Sequence, residues 1–497
     1  MHRTQRLLNP IIIVLLSVIV VLVVGWSLTV FVTALLFSAL YITAVTCGGP
    51  RVGVAVPTSQ GQGLVAFLRV QSRNEMDSNR DARRGITRRG AIAGAAMLGV
   101  GAGLDHLLGG SDSRSDHGLS GSSPAIVPFY AAQQGGIATP AQEFLDFAAF
   151  DVISNSIDDL RDVLKQWTAA AAVLTVGKPY FPSPADRDVA PVDTGEAVGA
   201  GPSRLTITIG FGPSLFGAQG EDRFGLARKR PHKLAPLPRF PGESLDANRS
   251  GGDLCVQACA DDPQVSFHAI HVLARLASDA ATLRWTQQGF GRTSSTSRSQ
   301  PTPRNLMGFK DGTDNLRAED GEAMDEFVWV QRSDGPGWMT DGSYLIARRI
   351  QILFDVWDGT SLEGQERAIG REKLSGAPLG SRHEYDPVDL DAKRDGAEVI
   401  PADAHIRLAS PSSNDGQRLL RRGYSYSEPT EPGSGQIDAG LFFICFQRDP
   451  ERQFIPIQRR LAGSDALNRH TLHTASAIFA CPPGCKAGGF VGEDLFA

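Results

Sequence analysis

Gly308-Phe309-Lys310-Asp311-Gly312-Thr313-Asp314-Asn315 sets two glycines among Lys310, Asp311 and Asp314, between a Ser/Thr/Pro-rich run and an acidic loop. Glycines flanking Asp311 let the backbone turn sharply and come close to a flat ligand, where a Cβ would intrude. A carboxylate held in such a turn is aimed at something. On local physics alone, an Asx-rich turn capped by its own side chains accounts for the stretch equally well. Its counterpart lies downstream: Ala404-His405-Ile406-Arg407-Leu408-Ala409, then Leu420-Arg421-Arg422-Gly423-Tyr424-Ser425-Tyr426.

Working outward, a pattern of elements occurs twice. In residues 124–303, Phe144 to Val152 reads as a strand, and Ile157, Leu160, Leu164 and Trp167 mark a helix face. Arg204 to Phe211 alternates, with Leu205, Ile207, Ile209 and Phe211 on one side. Leu254 to Ala260 is a further strand, Asp262-Pro263 opens a helix to about Leu276, and Ala281 to Phe290 closes the set. This is β-α-β-β-α-β, the ferredoxin-like order. Residues 304–497 repeat it. The strands are Tyr344 to Asp355, Gln417 to Tyr426, Leu441 to Phe446 and Ser476 to Cys481. Thr360 with Glu363 reads as a capping box. Asp449-Pro450, echoing Asp262-Pro263, is expected to open a helix to about Leu461. The fold class is therefore α+β, an internal duplication joined through Arg292 to Pro303.

The combination GFKDGTDN, HIRLA and RRGYSY, in that order, resembles the dye-decolorizing (DyP-type) haem peroxidases, and in particular their exported deferrochelatase/peroxidase (EfeB-type) branch. Phe129-Tyr130, Gly136-Ile137-Ala138-Thr139-Pro140, Gly252-Asp253-Leu254, Trp357-Asp358 and Ser375-Gly376-Ala377-Pro378-Leu379 extend the likeness from about Pro128 to the C-terminus. The resemblance implies two ferredoxin-like halves packed into a barrel-like fold, haem b (iron protoporphyrin IX) as cofactor, and hydrogen peroxide with organic electron donors as substrates. It also implies release of iron from haem with the porphyrin left intact, alongside an iron-uptake permease system. A haem carrier without turnover is the rival reading. The homo-oligomeric state is left open.

Site residues follow from the same resemblance. His405 coincides with the proximal haem-iron ligand, a role that suits neutral imidazole; from local sequence alone it reads as a structural histidine. Asp465 matches the acid that accepts the other ring N–H, with Asp449 as the fallback, although Asp449 reads as a helix N-cap. Asp311 and Arg421 match the pair on the opposite haem face. O–O heterolysis needs a proton moved between the peroxide oxygens, which a carboxylate can relay. A guanidinium stabilises the charge left behind without titrating away. Gly312, Thr313 and Asp314 would follow the haem edge, and Ser410, Pro411 and Ser412 would lie near the macrocycle. The chain departs from the branch at Gln133 and Glu372, where histidine is common.

Among ten histidines, His268 and His271 stand one helical turn apart, with no third ligand at metal spacing, and read as a solvated or half-buried face. His470 and His473 show no constellation. Cys255 and Cys259 point the same way along one strand, Cys445 reads as a small hydrophobe, and Cys481 with Cys485 is a pairing an oxidising compartment would permit.

With 497 residues, 42% hydrophobic and 21% charged, the chain is an ordinary globular composition in which two core units are expected. A net charge of −5 implies no basic face for nucleic acid. Residues 1–75 hold the uncharged run Ile11 to Val45, long enough to span a bilayer. Residues 76–108 contain Arg88-Arg89 ahead of a small, apolar stretch, the mark of Tat export. Two such elements in series admit either a membrane anchor or a start at Met76. Residues 109–123 read as a Gly/Ser/Asp-rich linker. Export through the Tat translocase to the periplasm or cell envelope is the expectation.

Overall fold

A computed structural model describes residues 126–180, 186–217, 221–429, 435 and 437–497, together with a short hairpin formed by β1 (Val54–Val56) and β2 (Leu64–Ala66). The expected membrane span, export signal and linker lie outside the described residues. Among those described, no helix is long and apolar enough to cross a membrane.

The first repeat runs β3 (Phe144–Val152), α1 (Ile157–Leu174), β4 (Thr206–Phe211), β5 (Leu254–Ala260), α2 (Pro263–Ala277) and β6 (Ala281–Arg292). Ser156 caps α1 and Asp262 caps α2, the latter accepting from the backbone N–H of Gln264 and Val265. Strand β4 starts later than its alternation predicts, because Ser203 and Arg204 both take positive φ and cannot continue a strand.

α3 (Gly321–Phe327) follows. The second repeat is β7 (Ser343–Ile352), α4 (Phe354–Asp358), α5 (Leu362–Ile369), the two-residue strands β8 (Lys393–Arg394) and β9 (Ala397–Glu398), α6 (His405–Ala409), β10 (Leu420–Arg421), β11 (Tyr424–Glu428), β12 (Asp438–Gln447), α7 (Phe454–Ser464) and β13 (Thr471–Cys481). Several boundaries differ from expectation. β7 stops at Ile352, and Phe354 begins a helical turn instead of extending the strand. The stretch expected as one strand from Gln417 is broken into β10 and β11. Ser361, not Thr360, caps α5, accepting from the N–H of Gly364; the Thr360 hydroxyl donates back to the carbonyl of Val356.

Asp449 does not open α7 either. Its carboxylate accepts from the N–H of Glu451 and Arg452 in a separate turn, and the helix begins at Phe454. Pro456 explains the shift. A helix running on from Pro450 would place the Pro456 ring against the carbonyl of residue 452, whereas a start at Phe454 leaves Pro456 in the first turn, where no N–H is required.

The strand order β6-β3-β5-β4 in one half is matched by β11-β12-β7-β13, read in reverse, in the other, so both halves have the ferredoxin-like arrangement. β11 pairs β6, β13 pairs β4, and β12 pairs β7, which closes the barrel. Alternation along β3 sends Leu145, Phe147 and Ala149 into the barrel interior with Tyr424, Phe442 and Phe479. Ala148, Phe150 and Val152 face α1 and α2, where Trp167 packs on Phe150 and donates its indole N–H to the Leu273 carbonyl at 2.8 Å. Cys255, Cys259 and Cys481 face the barrel interior. The described cysteines, Cys481 and Cys485 included, are free thiols.

Candidate active site

In the second half, a cavity of about 310 Å³ opens between the outer face of the sheet and the short helices. Ile350, Ile352, Leu441 and Phe443 form its sheet wall, and Ile406, Ile457 and Leu461 its helical wall. That volume falls in the range of small-molecule and cofactor pockets.

His405 is the first residue of α6 and lines this cavity. Its Nδ1 lies 2.6 Å from Oδ2 of Asp465, a buried residue whose other oxygen caps the following turn by accepting from the N–H of Leu467 at 2.8 Å. The N–H of Ala466 donates to the carbonyl of Asp403, stitching the two loops together beside this pair. Each Asp465 oxygen is thereby committed, and a neutral His405 that donates through Nδ1 keeps the lone pair of Nε2 free. Burial works against the imidazolium, yet the Asp465 carboxylate outweighs it and raises the pKa of His405. Asp449, the alternative acceptor, is engaged elsewhere in an ion pair with Lys233 at 2.8 Å.

The GFKDGTDN stretch forms the second functional wall. Gly308 and Gly312 both have positive φ, and a Cβ on Gly312 would meet the Ser294 backbone at 2.9 Å, so only glycine fits there. Asp311 receives Nη1 of Arg421 on Oδ1 at 2.9 Å and Nδ2 of Asn305 on Oδ2 at 3.2 Å. Arg421 sits on β10, and its backbone is gripped at both ends by buried Asn315: its N–H donates to Oδ1, and its carbonyl accepts from Nδ2, each at 2.8 Å. Thr313 donates to Glu384, which also pairs with Lys310. Burial opposes ionisation of Glu384, but the Lys310 bond leads the groups that hold its carboxyl below the usual range. Asp314 pairs with Arg418 at 2.6 Å.

The cavity thus brings together His405, Asp465, Asp311, Gly312, Thr313, Asp314, Arg421, Ser410 and Pro411. Ser412 is the exception: it is exposed, off the cavity wall, and its hydroxyl lies 2.9 Å from that of Ser410. Arg422, beside Arg421 in sequence, is fully buried and bonds to Thr139 and Gln142.

Other wall residues were not singled out from sequence. Arg371 lies buried on the wall and donates to the carbonyls of Gly376 and Glu384, with burial lowering its pKa. Arg348 and His473, on paired strands, also line the cavity. Arg348 is 1% exposed and bonds to Glu243 and Ser476, but its Nε finds no partner among the described residues, nor does Nδ1 of His473. Burial, with Arg348 beside it, drives the pKa of His473 down to about 3, so its ring is neutral. Such orphaned buried groups are rare and call for a ligand or water. No sequence signal marks His473, because its strand partner Ile350 and the neighbouring Arg348 come from a distant part of the chain.

Of the solvated or half-buried face expected at His268 and His271, the structure has the half-buried one, with His271 partly exposed. His268 is buried, and both Nδ1 atoms contact Glu196, at 2.7 and 2.6 Å. Among the described residues no group of three or more side chains could hold a metal ion.

Apolar walls, one imidazole with a free nitrogen, and two cavity-lining side chains with an orphaned nitrogen, Arg348 at Nε and His473 at Nδ1, fit haem: iron takes the imidazole, the ring the apolar walls, and the polar edge of the cofactor the orphaned nitrogens. Residues 134–291 match the family model for the N-terminal part of Dyp-type peroxidases, and residues 302–486 match that for the C-terminal part. The chain belongs to the DyP-type peroxidases, haem-dependent enzymes. It is similar to a dye-decolorizing peroxidase of Thermobifida fusca, 40% identical over 83% of this chain and 98% of the relative. A deferrochelatase of Escherichia coli K12 is 39% identical over 74% of this chain and 86% of its own length. Among solved structures, ferric DtpA from Streptomyces lividans superposes with a TM-score of 0.68 at 40% identity, covering 75% of this chain and 98% of that one.

Proposed function

We propose that the chain is an exported peroxidase that reduces hydrogen peroxide and oxidises organic donors at this cavity, and that it also releases iron from haem, leaving the porphyrin intact, in the service of iron uptake. The observation that carries the reading is the presence of two polar pairs, His405–Asp465 and Asp311–Arg421, on one apolar cavity. When bound, haem supplies the redox chemistry. His405 would hold the iron through Nε2, with Asp465 fixing the ring's tautomer and making the imidazole more electron-rich. Asp311 would take a proton from the inner peroxide oxygen and return it to the outer one. Arg421 would stabilise the negative charge that develops on the departing oxygen.

A carrier has no use for a carboxylate–guanidinium pair placed at its ligand, and this favours turnover over simple haem binding. The deferrochelatase reading is supported by likeness to the Escherichia coli relative. Arg88-Arg89 and the apolar stretch behind it support Tat export to the periplasm or cell envelope. An iron-uptake permease system is the partner that this location and activity would serve.

The test is an absorption spectrum of the purified protein before and after peroxide, then an assay with free haem as substrate. A Soret band that changes on mixing with peroxide and recovers with an organic donor is expected. Iron-free protoporphyrin fluorescence is expected to appear with haem. A Soret band inert to peroxide would leave the carrier reading in place.

A further inference from the structure

Asp311 and Arg421 are a carboxylate and a guanidinium within contact, and their preferred geometry is a bidentate fork in which both oxygens receive N–H groups. That fork would close the pair on itself and leave little of either group for a substrate. The structure shows a single bond instead, from Nη1 to Oδ1, while Oδ2 is held by Nδ2 of Asn305.

Asn305 is unable to let go by flipping its amide. Its Oδ1 accepts from the N–H of Met307 at 3.1 Å and of Phe309 at 3.3 Å. Its own N–H donates to the carbonyl of Phe309 at 3.0 Å, and its carbonyl accepts from Gly308 at 2.9 Å. Four bonds of one tight loop converge on this residue. With the amide oxygen committed to two backbone donors, the NH₂ end must face Asp311. The loop is anchored in turn by Arg304, which donates to the carbonyls of Gly308, Lys373 and Leu374. Asn305 itself is on the cavity wall.

We propose that Asn305 is the positioning residue of the distal pair: its locked amide withholds one Asp311 oxygen from Arg421, so that the pair stays open to peroxide instead of closing into a bidentate salt bridge. This rests on the proposed roles of Asp311 and Arg421. Asn305 makes no claim on the reacting atoms; it acts through Asp311.

The informative variant is Asn305→Asp. It keeps an oxygen for the two loop N–H groups and replaces the donor with a second carboxylate oxygen facing Asp311. In the haem-loaded enzyme its reaction with peroxide is expected to slow on the order of 10–100-fold at neutral pH, the range that outer partners of a haem or metal site carry. Two carboxyls in contact cannot ionise independently, so at acidic pH one of them holds a proton and restores a donor between them. The deficit is therefore expected to shrink as pH falls. A wild-type rate at every pH, or a slowing that does not change with pH, would overturn the proposal, the latter pointing to damage of the loop alone. Asp311→Asn measured alongside separates the two layers: a wild-type rate there overturns the role of Asp311 itself, whereas a slow Asp311→Asn with a normal Asn305→Asp overturns only the inference. A crystal structure of haem-free Asn305→Ser, whose short side chain serves the loop but falls short of Asp311, is expected to show both Asp311 oxygens on Arg421. Retention of the single contact there would equally contradict it.

Discussion

The two halves of the barrel share one topology but treat the space behind the sheet in opposite ways. In the first half, α1 and α2 run 18 and 15 residues, and Trp167, Leu164 and Leu273 fill the layer against Phe150. In the second, the corresponding helices are cut to 5, 8, 5 and 11 residues, and the layer is a cavity walled by Ile350, Ile352, Ile457 and Leu461. The difference shows that the fold supplies a platform, and the segments laid over it decide whether that platform is core or site. His405 and Asp465 sit where a long helix has been replaced by turns and helix ends, and Asp311 lies on the loop that joins the repeats, positions from which side chains can be aimed inward without belonging to a packed helix face.

The contrast can be broken from either half. Trp167→Ala in the filled half is expected to cost about 3–5 kcal/mol of stability, read by chemical denaturation, with the Soret band of the folded fraction unchanged. A spectral change of the haem would show that the halves are coupled. Arg421→Leu in the hollow half should do the reverse: haem stays bound, and the peroxide reaction slows about 10²–10³-fold, as for loss of one preorganised donor. A stopped-flow trace at wild-type speed would reduce this arginine to a structural role. Asp311→Asn keeps the guanidinium and removes the proton relay. A defect of about 10²-fold, largest at acidic pH, is expected from rate profiles, and a pH-independent loss would exclude the relay. Asp465→Asn should have the smallest effect on turnover while retaining haem. Its signature is a shifted reduction potential, because the proximal imidazole loses its anionic acceptor. An unchanged potential would remove Asp465 from the account.

Much of this contrast was legible in sequence, and what was not has physical causes. The strand readings Phe144–Val152 and Leu254–Ala260 match β3 and β5 at both ends, and the alternation of β4 and the Asp262-Pro263 helix start place the rest of the filled half to within two residues at those points, because there local pattern and packing agree. The hollow half is less regular. Pro456 displaces the start of α7, Ser361 displaces the cap of α5, and the Leu420 to Tyr426 run breaks into two strands. Within the site, Asp311, His405 and Arg421 were found through three motifs, while Arg348, Arg371, His473 and Asn305 were missed. Their positions depend on contacts between distant segments, as when His473 on β13 meets the cavity beside Arg348 on β7, and no spacing along the chain encodes that. Ser412 stands exposed and off the cavity wall, because nearness to His405 in sequence does not turn a side chain toward the cavity.

The central claim is that the hollow half holds haem iron through His405, and His405→Ala addresses it most directly. Spectroscopy of the variant isolated under haem-replete conditions, beside thermal unfolding to show that the barrel is intact, is the measurement. Loss of the Soret band from a protein that still unfolds cooperatively is the predicted result. A variant that retains haem in full, with the iron's coordination unchanged, would contradict the account.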